Sequence, residues 1–188
     1  MNIKKILELH KKWLRNEDGG VRANLKDANL KGANLKGVNL SFANLSFANL
    51  KDADLSGAYL SNANFSCANL RSADFHDAYL GYADLKYAIL THANFRDTTL
   101  RHTNLNDTYL GGADLTGANL DFSQLILSCK GLDFKIDERI AKQITYHLLN
   151  LMQTSDLDIN KIFKKSVYNW VNSSHLIEGY GLSKIEEK

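Results

Sequence analysis

The sequence predicts an all-β repeat solenoid across the middle of the chain, with helical segments on either side. Three observations predict it. Leucine or phenylalanine recurs at every fifth residue from Leu25 to Leu125, twenty-one positions without a break. A small side chain stands two residues before each of them, alanine in most cases, with Val38, Thr98, Thr103, Thr108 and Ser123 as the departures. The 188 residues contain no proline at all, so something more regular than ordinary loops occupies most of the chain.

A period of five suits neither standard element. In an α-helix five steps of about 100° leave successive leucines about 140° apart, spread around the cylinder. In a flat strand the side-chain period is two, and an odd spacing throws alternate leucines onto opposite faces. The chain must therefore turn once per repeat. The small and the large apolar residue then point inward, while the residue between them and the two after the leucine point outward. Periodicity alone admits a triangular coil as well as a square one.

The repeats read Ala-Asn-Leu-Lys-Asp at 23–27 and Ala-Asp-Leu-Ser-Gly at 53–57, the pattern A(D/N)LXX. On that pattern, over residues 21–125, the chain resembles the bacterial pentapeptide-repeat family. The resemblance implies a right-handed quadrilateral parallel β-helix. At four repeats per coil and about 4.8 Å between coils, twenty-one repeats make roughly five coils and a rod on the order of 25 Å long.

Three segments follow in order. Residues 1–20 are expected to form an N-terminal capping helix: Ile3, Ile6, Leu7, His10, Trp13 and Leu14 make one apolar stripe, and Gly19-Gly20 ends it. A membrane-surface or partner helix is the alternative for that stripe. Residues 21–127 form the β-helix. Residues 128–188 break the period and read as a C-terminal α-helical region. There Ile140, Ile144, Leu148 and Leu151 mark one amphipathic helix, with Asp137 as N-cap, and Ile159, Ile162, Phe163, Val167, Trp170 and Val171 mark a second. Both flanks would cover coil ends whose unpaired backbone groups otherwise invite association. Two amphipathic helices exceed what one coil end needs, which points to a homodimer through the C-terminal region, as gyrase-interacting members of the family also dimerise at their C-terminal ends.

Composition excludes several function classes. With 23 Lys and Arg against 21 Asp and Glu the net charge is +2, too small to mark a nucleic-acid binder or a membrane-surface protein. Cys67 and Cys129 make no disulfide framework, and no apolar leader with a cleavage site opens the sequence, so a cytoplasmic chain with free thiols is expected. Gly179 and Gly181 lack the following Lys-Ser/Thr of a phosphate loop, and no paired-histidine helix is present. No enzyme activity, catalytic residue, cofactor or metal is therefore expected, and a packed leucine interior leaves no cavity. The six histidines could meet carboxylates in space, as His76 could with Asp77 or Asp97, and exposed neighbours of that kind are usually solvated.

Residues twenty apart should stack on one face. On that period Tyr59 and Tyr79 share a column, Phe42, Tyr82 and Phe122 a neighbouring corner, and Phe47 with Tyr87 the next face. The other side carries Lys31, Lys51 and Arg71 in one column and Lys36, His76 and Arg96 in another. Exposed aromatic patches favour protein partners. The lead reading is a protein-interaction or structural module with an unidentified protein partner. The family resemblance adds the alternative of a DNA mimic that binds gyrase and protects it from quinolones, but mimicry needs a strongly negative rod. Residues 21–125 hold nine Lys and Arg against ten Asp, a net of −1. Weak nucleic-acid binding through the basic columns is a remote alternative.

Overall fold

The computed structural model describes residues 2–120. Its one helix among these residues, α1, spans Ile3–Leu14. Asn2 caps its start, with Oδ1 accepting from the Lys5 amide at 3.2 Å, and Lys11 and Lys12 place positive charge at the carbonyl end. The apolar stripe lies on one face as expected. Ile3, Ile6, Leu7, Trp13 and Leu14 are half-buried and His10 is fully buried.

After α1 the chain coils. Parallel bridges join residues twenty apart throughout, from Asn24 with Asn44 to Thr99 with Asn119. Twenty residues hold four repeats, so each coil has four sides and the triangular option is excluded. Each side pairs through a single bridge residue, so the all-β expectation is met by bridges and turns rather than by extended strands among the described residues. One repeat illustrates the bonding. Leu45 N donates to Asn64 O at 2.7 Å, Phe47 N to Ser66 O at 3.0 Å and Asn64 N back to Ala43 O at 2.9 Å, while Ala48 N closes the turn on Leu45 O at 3.1 Å. Nearly every backbone group thus finds a partner in the coil above, the coil below or its own turn, which is what lets a shape built of turns be buried on its inner side.

The interior is the leucine ladder. Leu40 through Leu60 and Leu70 through Leu100 are 0% exposed, as are the three phenylalanines that replace leucine. Phe75 and Phe95 stack on adjacent coils with centroids 4.7 Å apart, and Phe65 meets Phe75 edge-on at 6.2 Å from across the coil. The threonines that replace alanine are buried too. Their hydroxyls donate to carbonyls, Thr98 to Phe75 at 2.9 Å, Thr103 to Leu80 at 2.8 Å and Thr108 to Leu105 at 2.8 Å, which makes a polar group tolerable there.

The corners are β-turns. The second residue after each leucine has positive φ at every turn from Asp27 to Gly117, whatever its type. Where the residue before the leucine is Asn or Asp, its side chain stabilises the same turn: Oδ1 of Asn44 accepts the Ser46 amide at 3.1 Å and hydroxyl at 2.8 Å. The Ser56 hydroxyl at 2.6 Å and amide at 2.9 Å likewise hold the Asp54 carboxyl below the usual carboxylate range. These bonds correct one expectation. Ser46 and Ser56 stand at positions expected to face outward, yet both are buried, because their hydroxyls fold back onto the preceding side chain.

His10 locks α1 onto the first coil. Its Nδ1 accepts the Ala23 amide at 3.1 Å, a donor that inside the stack would be met by a turn carbonyl. Nδ1 is therefore the unprotonated nitrogen, and the ring stacks on Trp13 with centroids 5.6 Å apart. Val21 N donates to Leu9 O at 3.0 Å beside it, and Gly20 passes so close to the Lys12 and Trp13 backbone that no Cβ fits. Burial pushes the His10 pKa down, the Ser41 carbonyl opposes this, and the Arg22 charge adds to the lowering.

Because the folded pKa of His10 is depressed, its contribution is full above the unfolded value of about 6.5 and is lost as pH falls through the folded pKa. Thermal melts should therefore fall between pH 7.5 and pH 5, and His10→Gln should flatten that dependence; an unchanged slope would contradict the assignment. Gly57 has φ +63° with open space where a Cβ would lie, so Gly57→Ala should cost about 1–2 kcal/mol from backbone conformation alone. Gly81→Ala, at an ordinary φ with its nearest neighbour 3.6 Å away, should instead be neutral or gain up to about 1 kcal/mol in denaturant unfolding. Leu60→Ala in the fully buried ladder should cost about 2–5 kcal/mol by the same measurement.

Candidate functional site

The aromatic columns stand where the twenty-residue register puts them. Phe42, Phe47, Tyr59, Tyr79, Tyr82 and Tyr87 are each about half exposed, from 46% at Tyr79 to 62% at Tyr82. Phe122 lies outside the described residues, as do Ile140, Ile144, Leu148, Leu151, Ile159, Ile162, Phe163, Val167, Trp170 and Val171.

Tyr59 and Tyr79 are bridge partners, and their rings stack with centroids 5.1 Å apart and planes 6° from parallel. Phe42 and Tyr82 occupy the turns at the next corner, two coils apart, and Phe47 and Tyr87 do the same at the corner after it. Between the two corners runs a face whose bridge residues are Asn24, Asn44, Asn64, Asp84 and Asn104. Its side chains bond along the stack, Asn44 Nδ2 to Asn24 Oδ1 at 3.3 Å and Asn104 Nδ2 to Asp84 Oδ1 at 3.0 Å. Two aromatic ridges thus border a polar strip.

The four corner rings sit on unfavourable backbone. Phe42, Phe47, Tyr82 and Tyr87 have φ of 65°, 60°, 61° and 61°. A residue with a Cβ loses roughly 1–2 kcal/mol in that region, where Gly57 or Asn62 is better suited. Local contacts recover part of this. Trp13 meets Phe42 edge-on at 6.2 Å, Lys26 Nζ lies 5.7 Å over Phe47, Lys86 Nζ lies 4.7 Å over Tyr87, and His102 stacks on Tyr82 at 4.5 Å. Each ring has a neighbour and still presents half its surface.

Sequence reasoning missed part of this surface. Tyr109, 46% exposed, is the bridge partner of Ile89 on the face beyond the Phe47–Tyr87 corner. The same period of twenty carried that signal, since Tyr109 stands in one column with Asn49, Asn69 and Ile89.

The basic columns also form. Gly32 N donates to Lys51 O at 2.8 Å and Asp52 N to Arg71 O at 2.9 Å, stacking Lys31, Lys51 and Arg71; Lys36, His76 and Arg96 line another corner with Ser56 among them. At that second corner the Arg96 guanidinium reaches Asp114 at 3.7 Å. His76 Nε2 stands 3.2 Å from Asp77 Oδ2, and one ligand atom from each of His76, Asp77 and Asp97 lies within 4.8 Å of the others, the one such group found among the described residues. No helix of the described residues is long and apolar enough to cross a membrane.

A family model described as pentapeptide repeats matches the chain in 8 copies over residues 21–57, 53–91 and 93–129. Among solved structures the chain is similar to a pentapeptide repeat protein of the Arabidopsis thaliana thylakoid lumen, with 29% identity and a TM-score of 0.51 over 53% of this chain and 70% of that one. It is similar also to Rfr23 of the cyanobacterium Cyanothece 51142, with 31% identity and a TM-score of 0.29 over 69% of this chain and 93% of that one. QnrB1, a plasmid-mediated fluoroquinolone resistance protein, aligns at 18% identity and a TM-score of 0.22 over 65% of this chain and 85% of that one. No curated protein matches. By its repeats, its four-repeat register and the match across residues 21–129, the chain belongs to the pentapeptide-repeat family, whose fold is a right-handed quadrilateral β-helix.

Proposed function

We propose that this chain is a non-enzymatic binding module of the cytoplasm that engages a protein partner through its aromatic side and assembles as a homodimer through residues 128–188. The observation that carries the reading is the placement of Phe42, Phe47, Tyr82 and Tyr87 on positive-φ turn residues while half exposed. Strain at exposed positions marks sites kept for what the side chain does rather than for what the backbone prefers. Half-exposed aromatics held by their neighbours supply contact area at little entropic loss, as interface anchors do. The surplus of apolar stripe in residues 140–171 supports the assembly part.

Charge favours a protein over a nucleic acid or a nucleic-acid mimic. The coil carries a net of −1 over residues 21–125, and the Lys31, Lys51 and Arg71 column would repel a groove built for DNA. Gyrase binding with quinolone protection is therefore the alternative rather than the lead.

Light scattering of the full-length protein beside a chain ending at Leu125 should show a dimer that becomes a monomer, and a truncated dimer would sink the assembly reading. Full-length Tyr82→Ser with Tyr87→Ser should melt within a few degrees of wild type and weaken capture of the partner by at least about tenfold, the loss of one or two interface anchors. Undiminished capture by that variant would remove the aromatic side as the interface. Unchanged supercoiling and quinolone-induced cleavage by gyrase at micromolar protein would dispose of the alternative.

A further inference from the structure

The corner that borders the Tyr59–Tyr79 face, diagonal to the Phe47–Tyr87 corner, holds a second arrangement, built from one histidine and two aspartates on adjacent coils. We propose that His76, Asp77 and Asp97 bind a divalent transition-metal cation of the zinc class. The hydrogen bonds of His76 fix its tautomer. His76 Nδ1 lies 3.2 Å from the backbone carbonyl of Arg96. A carbonyl oxygen can only accept, so Nδ1 carries the proton, and in the neutral ring the lone pair is on Nε2. That lone pair faces Asp77 Oδ2 at 3.2 Å. Two acceptors pointed at one another need a positive charge between them, either a proton or a metal ion.

The surroundings favour the metal. Histidine ligands characteristically donate their other ring N–H to a backbone carbonyl, which fixes the ring and its tautomer, and the Arg96 carbonyl does so here from outside the cluster. The separation of 3.2 Å matches the edge of about 3.3 Å expected between two ligands of a tetrahedral zinc with bonds near 2.0–2.1 Å. Asp97 adds a second carboxylate, since one ligand atom from each of the three residues falls within 4.8 Å of the others.

The coil makes room for these carboxylates. Asp77 and Asp97 stand in a corner column between Gly57 and Gly117, and a Cβ on Gly117 would occupy the position of the Asp97 Oδ1 atom. The guanidinium of Arg96, which shares the corner column of His76, is directed to Asp114 at 3.7 Å. His76 is held in place from both ends, its amide donating to Asp74 Oδ1 at 3.0 Å and its ring to the next coil. One imidazole and two carboxylates suit a borderline cation better than calcium or magnesium, and three protein ligands leave a fourth position for water or a partner's side chain.

Titrating zinc chloride into full-length protein freed of metal by a chelator should give one site per chain, with a rise in melting temperature. Asp77→Asn and Asp97→Asn change little but charge on exposed side chains, and each should weaken that site by at least about tenfold; His76→Gln should do the same. Gly117→Ala should weaken it without removing a ligand, by displacing the Asp97 carboxylate. His92→Gln and Cys67→Ser, outside the cluster, should leave it unchanged. Cobalt in place of zinc should give the visible absorption of a tetrahedral site, lost in the same variants. Zinc binding that survives the three ligand substitutions would place the metal elsewhere, and no binding at roughly millimolar zinc would leave a plain imidazolium–carboxylate pair; either result overturns the proposal.

Discussion

Everything described here depends on the twenty-residue register between coils. The bond from each leucine amide to the carbonyl nineteen residues on, with its companions at the turn and on the return side, sets which residues stack. A slip by one repeat would keep leucine over leucine and alanine over alanine, so the apolar interior alone does not forbid it. Closure on four sides does. The turn bond from the residue three after each carbonyl bends the chain at every repeat, and the coil returns onto itself only after four such bends. Interior packing then adds stability along the whole stack, with Phe75 over Phe95 and Phe65 against Phe75 filling the middle coils.

A stack whose members pair only with their neighbours has a weak point at each end. At the amino-terminal end α1 supplies what a preceding turn supplies elsewhere in the stack: a carbonyl from Leu9 for Val21, an imidazole nitrogen from His10 for Ala23, and a half-buried apolar stripe. The substitution of an imidazole for a carbonyl makes that end sensitive to protons in a way that the rest of the coil is not. It also fixes Trp13 against Phe42, so the first aromatic of the corner ridge is positioned by the cap itself.

The outward residues are free of the constraint that fixes the inward ones. At the turn position with positive φ the chain places glycine, aspartate, asparagine, serine, cysteine, histidine, phenylalanine and tyrosine, all on nearly the same backbone. The fold therefore tolerates many chemistries there, and it arranges whatever it is given into columns whose members lie about 4.8 Å apart. Aromatic rings gather on two corners and the Tyr59–Tyr79 face, and a histidine–carboxylate corner borders that face, without any change in the interior. That separation of scaffold from surface is why family membership specifies the shape and leaves the task to particular side chains.

The sequence by itself determined the repeat, the inward positions and the N-terminal helix, because each is written in local periodicity and the buried residue types are few. The aromatic columns were legible as well, since stacking turns a period of twenty into spatial adjacency. Four sides rather than three came from resemblance until the bridges between residues twenty apart decided it. Only the tertiary structure decided the rest. It buried Ser46 and Ser56, whose hydroxyls turn back on their neighbours, and made His10 an acceptor for the first coil. It also aimed the His76 lone pair at Asp77 beside Asp97, two of them adjacent in sequence and the third twenty residues away. No local motif carries such a set, because side-chain direction and hydrogen-bond partner are settled between coils rather than along the chain.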